Sequence, residues 1–337
     1  MDVADVSGIL RRIDECRRST LLSSRLKATM DRRMMISRIA WAGPAALLIA
    51  GASFDASGQE LEPRAYSPSP SAVNFLGLTY LRSTGGVGVD PSLPLDNVSA
   101  EITIASLGYA RTFGLLGRSA SVGLVLPYSR ADVSGDVFEQ QRAVTRSGLA
   151  DPRLRLAINL FGGPAVNREE FAAREPSTAL GTSLTIVAPF GQYDSDRLIN
   201  LGSNRWAFKP EIGVYQPLGP WSLELYGGAW FYTDNDNFFR GARREQEPIA
   251  TLQAHVSYTF RPGLWLAADA TYYAGGRTTV NGVQKDDRQE NTRFGLTFSL
   301  PIAKGHSLKL NWSEGVTERI GTNFTTFGAT WQYSWFD

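Results

Sequence analysis

Cysteine is almost missing from this sequence: Cys16 is the only one in 337 residues. That excludes a disulfide framework and a cysteine-built zinc site. Methionine is confined to positions 1, 30, 34 and 35, so the N-terminus and the rest are different kinds of sequence. Histidine occurs only as His255 and His306. An excess of one charge is also lacking. There are 34 Lys/Arg against 33 Asp/Glu, formally +1, which gives no support to a nucleic-acid binder. With 43% hydrophobic and 20% charged residues the chain is not of the disordered class. After residue 58 no apolar run approaches the ~20 residues of a membrane-spanning helix.

One short apolar run does exist, near the start. Arg32, Arg33 and Arg38 precede an apolar stretch from Ile39 to Ala52, and the small-x-small site Ala56-Ser57-Gly58 follows. These are the three parts of a secretory signal peptide, expected over residues 30–58. The alternative, a short N-terminal anchor helix, lacks a reason for the small-residue site. Residues 1–29 then read as an extension from a start assigned too early, with Met30, Met34 or Met35 as the start. Residues 59–72 read as a periplasmic lead-in, and 73–337 as one domain.

That domain alternates with period two. Twelve runs rich in Val, Ile, Thr, Tyr, Phe and Trp read as strands. They lie near 73–82, 99–112, 119–131, 151–161, 180–190, 206–216, 221–233, 249–260, 264–274, 290–300, 306–316 and 323–336. Leu252, Ala254, Val256 and Tyr258, for example, alternate with Gln253, His255 and Ser257. Tight Gly/Pro links (113–118, 217–220, 261–263, 301–305) alternate with long polar ones (83–98, 132–150, 191–205, 234–248, 275–289). Two links break the rule. The link 317–322 is short where a long one is due. The link 162–179 is long where a short one is due, and its NREEFAAREP stretch can form a helical turn or two.

A soluble sandwich would alternate too. The export signal, the short and long links, and aromatics at strand ends favour an all-β, transmembrane, antiparallel up-and-down β-barrel of twelve strands. The aromatics are Tyr128, Phe190, Trp206, Trp221, Tyr232, Phe260, Trp265, Tyr272 and Trp335. A sheet in lipid cannot leave open edges, so it must close, and an even strand number returns both termini to the periplasm. Expected surroundings are the outer membrane of a Gram-negative cell, with its lipid and lipopolysaccharide and the barrel-assembly machinery. Outer-membrane barrels usually finish on an aromatic residue, and here Trp335-Phe336 is followed by Asp337.

The segments SVGLVLPYS, SGLADPRLRLAINLFGGPA, VAPFGQYDSDRLINLGSNRWAFKPEIG and YTDNDNFF carry a family resemblance. From about Tyr66 to Trp335 the chain resembles the transporter-like outer-membrane proteins of the "MetA-pathway of phenol degradation". Gly191 to Gly213 is the most specific part. The resemblance implies an outer-membrane barrel that moves small organic compounds, aromatic ones among them. It carries over no catalytic or binding residue.

Candidate chemistry follows from parity. Arg153, Arg155, Lys209, Glu211, Glu224, His255, Asp269, Arg293 and Lys309 are expected to line the lumen, where charge costs little and sets selectivity. The same residues paired with each other would plug it. A twelve-strand barrel lies between the filled small barrels and the open porins, so a narrow channel and a plugged scaffold both remain open. Tyr193, Arg197, Phe238 and Phe239 are candidates for gating from the outer loops. An enzyme is not expected. A barrel hydrolase with His255 as base and Ser257 nearby lacks a nucleophile-elbow motif, and a structural histidine is the better reading. No cofactor or metal is expected. Asp234-Asn235-Asp236-Asn237, with Glu245 eleven residues after Asp234, suggests a calcium loop, but Phe238 and Phe239 stand where a ligand and Gly are needed. Gly85-Gly86-Val87-Gly88 reads as a flexible loop. Without a nucleotide-binding motif, the expected activity is passive passage of a small organic solute.

Overall fold

The structure, a computed structural model, describes residues 61–88, 95–137, 140–197 and 199–337. The extension and signal peptide expected over 1–29 and 30–58 lie outside the described residues.

Antiparallel strands run in chain order: β1 (Val73–Gly88), β2 (Leu95–Leu115), β3 (Arg118–Val137), β4 (Gln140–Leu149), β5 (Arg153–Phe161), β6 (Ala179–Val187), β7 (Ala207–Leu218) and β8 (Trp221–Tyr232). Two short strands follow, β9 (Asn235–Phe238) and β10 (Ala242–Gln246), then β11 (Ile249–Arg261) and β12 (Leu264–Gly275). After the short β13 (Thr278–Val280) and β14 (Val283–Gln284) come β15 (Gln289–Ala303), β16 (His306–Thr317) and β17 (Gly321–Phe336). The main sheet has 13 strands. β4 and β5 are two halves of one crossing, because β3 pairs with β4 through Tyr128–Val137 and with β5 through Ala120–Val125. Twelve crossings result. β1 pairs with β17 from Val73↔Phe336 to Gly88↔Gly321, which closes the sheet.

Burial is inverted relative to a soluble protein. Along β11, Thr251, Gln253, His255 and Ser257 are buried, while Leu252 is 50% and Val256 43% exposed. Period two puts one set inside and the other outside. Apolar groups facing outward around a polar interior suit lipid as the surrounding solvent, and a closed barrel leaves no unpaired strand edge in it. Arginine in place of Leu225, which is 54% exposed on the outer face of β8, is expected to cost ~2–4 kcal/mol. Urea unfolding in phospholipid vesicles measures it, and Ala250→Ser, on the outer face of β11, is the control.

The start of β1 and the end of β17 lie at the end of the short turns, the periplasmic end by the usual polarity. There Asn74 Nδ2 donates to Asp337 Oδ1 at 2.8 Å and Arg111 pairs with the same carboxylate. The terminal aspartate is thus tied to β1 and β2. The long periplasmic link contains α1 (Arg168–Ala172), started by a capping box of Asn167 and Glu170.

Four expectations need correction. The Gly85–Gly88 run is strand, paired with 321–324 on β17 and, at Gly85 and Gly86, with Ala100 and Ser99 on β2. A Cβ on Gly85 would lie 1.7 Å from the Asn323 carbonyl oxygen, so glycine there permits close backbone approach. The outer links 234–248 and 275–289 are not plain loops but carry the four-stranded sheet β14-β13-β10-β9. The fourth crossing begins at Gln140, before its expected start at 151, and breaks at 150–152, where Pro152 has no N–H to give the ladder. Two strand-end aromatics face inward: Trp265 is 7% exposed, and Tyr232 packs on the cluster of Val187, Ala207, Trp230, Ile249 and Tyr273.

Candidate functional site

The inner wall and the chain before β1 form one site. From Ser69 to Ala72 the lead-in follows the periplasmic rim. Ser119 Oγ donates to the Ser69 carbonyl (3.0 Å), Thr112 Oγ1 to that of Pro70 (2.7 Å), and the Ala72 amide to the Thr112 carbonyl (2.9 Å). From Leu61 to Tyr66 the chain lies inside the barrel. A turn closed by the Ser67 amide on the Arg64 carbonyl (3.3 Å) brings it there.

Three consecutive residues grip the wall. The Arg64 amide donates to Glu224 Oε2 at 2.7 Å, and its guanidinium donates to Thr259 Oγ1 at 2.6 Å while lying 4.6 Å from the Trp265 ring centre. The Ala65 amide donates to the Tyr226 hydroxyl at 3.1 Å, and that hydroxyl donates to Glu224. Tyr66 is 1% exposed. Its hydroxyl donates to Glu211 Oε1 (3.0 Å) and shares a hydrogen bond with Ser183 Oγ (2.8 Å). Its ring meets Tyr226 edge to face at 4.9 Å and lies under the Arg155 guanidinium at 5.3 Å.

The wall residues expected in the lumen fall into two groups. Lys209, Glu211, Glu224, His255, Asp269 and Arg293 are buried, and Arg153, Arg155 and Lys309 are half-buried. Lys209 Nζ meets Glu211 Oε2 at 2.7 Å. His255 Nδ1 bonds Asp269 Oδ1 at 2.8 Å, and Thr297 donates to Asp269 Oδ2 at 2.7 Å. Arg293 donates to Ser313 Oγ (2.9 Å), the Phe324 carbonyl (2.6 Å) and Thr326 Oγ1 (2.9 Å). Lys309 Nζ stands 5.9 Å from the Trp265 ring centre. His255 Nε2 and Ser257 Oγ, both buried, have no hydrogen-bond partner among the described residues. The bond from base to nucleophile that a hydrolase needs is therefore not made.

The outer mouth is narrowed by the loop between β6 and β7. Ile199 and Leu201 pack on the inward cluster Ala100, Ile102, Ala131, Val133 and Phe324. The loop is clipped by Asp151, which sits in the break between β4 and β5. Its Oδ1 accepts from the Gly191 amide (2.7 Å), and its Oδ2 from the Ser203 amide (2.7 Å) and hydroxyl (2.6 Å). Two of the segments that carry the family resemblance thus meet at one carboxylate. Asp151→Ala leaves those amides without their acceptor. Hydrogen exchange at Gly191 and Ser203 is expected to quicken by about tenfold or more, with the barrel strands unchanged.

Of the loop candidates, Phe238 and Phe239 are buried at 5% and 6%. Tyr193 donates to the Asn237 carbonyl (3.1 Å) and accepts from Asn235 (3.0 Å). Burial raises its hydroxyl above the ordinary tyrosine range, against the hydrogen bond from Asn235. Arg197 pairs with Asp194 at 2.9 Å. In the Asp234–Glu245 stretch, the Arg243 guanidinium lies among Asp234, Asp236 and Glu245.

The fold and its lumen define the class: a twelve-strand membrane barrel of the outer-membrane type. Superposition agrees. The chain matches an outer membrane channel from Pseudomonas putida F1 with a TM-score of 0.71 and 24% identity, over 82% of this chain and 100% of that one. It also matches the β domain of the Bordetella autotransporter BrkA at 0.50 and 14%, over 79% and 100%. The family description "MetA-pathway of phenol degradation" fits residues 82–336, and the chain belongs to that family. No curated protein sequence matches it.

Proposed function

We propose that the protein is a passive outer-membrane channel for small organic solutes, aromatic ones among them, closed at rest by its own lead-in. The observation that carries this reading is the way Arg64–Tyr66 is held. A purely structural stopper would bury apolar groups. This one rests on ring contacts and five hydrogen bonds. The neutral bonds and ring contacts are worth about 0.5–1.5 kcal/mol each, and the bonds to charged groups about 1.5–3. Membership of the family and the likeness in fold to the Pseudomonas channel support it. The rim and belt residues would meet lipopolysaccharide and lipid, and β17 would serve the assembly machinery.

A second reading has its own support. The Lys209–Glu211 and His255–Asp269 pairs are buried along the inner wall, as the charges of a plugged structural barrel would be. Proteoliposomes separate the two. Influx of benzyl alcohol or benzoate should exceed that into protein-free vesicles, with a large oligosaccharide excluded. Influx equal to the protein-free rate for every small solute removes the channel and leaves the scaffold.

A further inference from the structure

The Tyr66 side chain is a para-alkyl phenol, and the barrel holds it as a binding site holds a ligand. The hydroxyl has both an acceptor, Glu211 Oε1, and a neutral hydroxyl partner, Ser183 Oγ. The ring has an edge-to-face aromatic neighbour in Tyr226 and a cation over it in Arg155. Two wall positions are hollowed for it. A Cβ on Gly213 would lie 2.2 Å from the Tyr66 ring, and one on Gly181 would lie 2.4 Å from it. The Glu211 carboxylate is itself fixed by Lys209 (2.7 Å) and Gln253 (3.2 Å), so it points at the hydroxyl without depending on Tyr66.

A second observation points to a ligand at the same place. Arg155 Nη2, Gln253 Oε1 and Glu224 Oε1 are buried there without a hydrogen-bond partner among the described residues. Buried polar atoms are seldom left so. Arg155 lies over the Tyr66 ring, Gln253 holds the same Glu211 that Tyr66 bonds, and Glu224 accepts from the Tyr226 that packs on Tyr66.

We propose that the socket of Ser183, Glu211, Gly181, Gly213, Tyr226 and Arg155 is a binding site for neutral phenols, and that Tyr66 is its tethered occupant. This rests on the channel reading for its purpose but not for its chemistry. A free phenol that takes the socket displaces Tyr66 and loosens the lead-in, so the solute opens its own path. The class is set by the groups present. The Glu211 carboxylate demands an O–H donor and repels a phenolate. The glycine hollow and the Tyr226 edge demand a flat ring. A methyl ether or a plain arene leaves Glu211 Oε1 without its donor.

Calorimetry on the purified protein in detergent tests the site apart from any transport. The probes are p-cresol, 4-methylanisole and toluene. The wild type, its socket filled, should bind p-cresol at least tenfold more weakly than Tyr66→Ala, a difference of about 1.4 kcal/mol. In Tyr66→Ala, p-cresol should bind at least tenfold tighter than either of the other two. The double variant Tyr66→Ala/Glu211→Gln, which keeps the shape and removes the charge, should lose most of that preference. Heat-modifiable migration on gels establishes that each variant is folded. Equal binding of the three probes by folded Tyr66→Ala, or no gain over wild type, overturns the proposal. Should p-cresol bind as expected while vesicle influx stays at the protein-free rate, the socket stands and the channel reading falls.

Discussion

Replacing Gly213 with valine should drive Tyr66 out of the lumen. A Cβ at this position meets the Tyr66 ring at 2.2 and 2.3 Å and the Tyr226 ring at 2.6 Å. Gly213 lies within β7, paired with Gly181 and Tyr226, so its backbone cannot retreat without breaking the ladder. Tyr226 is buried on a strand. Tyr66 sits on a segment with no ladder of its own, so the lead-in is the part that yields. Once Tyr66 leaves, the amides of Arg64 and Ala65 lose their geometry on Glu224 and Tyr226. Trypsin reads this directly, because it cuts after Arg64. The wild type should resist there, and Gly213→Val should be cut at least about tenfold faster while the strands stay intact. Equal rates would mean that the segment leaves the lumen as readily without the clash.

The other large effect is expected at Glu211. Glu211 and Lys209 are 7% and 4% exposed and 2.7 Å apart. Removing one member of a buried pair leaves an uncompensated charge, at a cost of about 3–5 kcal/mol. Glu211→Leu should lose that much in urea unfolding, and Glu211→Gln less, because the amide still hydrogen-bonds. Restoring neutrality with Lys209→Met in the Glu211→Leu background should recover most of the loss. A loss under about 1 kcal/mol for Glu211→Leu would mean that water reaches Lys209 and that the lumen at this level is open.

How far the sequence shows this depends on the range of each contact. Period two is local, so strands such as β11 and β12 are legible within one or two residues. Parity along them separates Gln253, His255 and Ser257 from Leu252 and Val256 without any structure. The candidate lumen charges come from the same rule. Position at a strand end does not decide which way a ring faces, as Trp265 shows. That ring faces the lumen beneath Arg64. The split of the fourth crossing had a signal in Pro152, but a lone proline does not tell a break from an edge. The outer sheet of β9, β10, β13 and β14 has strands of two to five residues, too short for alternation to register.

The socket was not legible. Tyr66 and Glu211 are 145 residues apart, and the three lead-in residues that grip the wall have no periodicity. Parity marks Glu211 but not its bond to Tyr66, since Tyr66 lies outside the strands. The contacts of Asp151 are hidden in the sequence for a related reason. It stands beside a proline in a run read as strand, and the amides it holds, at Gly191 and Ser203, are 40 and 52 residues away. Yet both ends of that contact lie in the segments that carried the family resemblance.

The central claim is that a lipid-embedded barrel is closed by a displaceable segment of its own chain. Planar-bilayer recordings of wild type beside Tyr66→Ala test it most directly. The account predicts a wild type that is shut for most of the record, and a variant that dwells at a steady open level. Indistinguishable traces from the two folded proteins, both silent or both open, would contradict it.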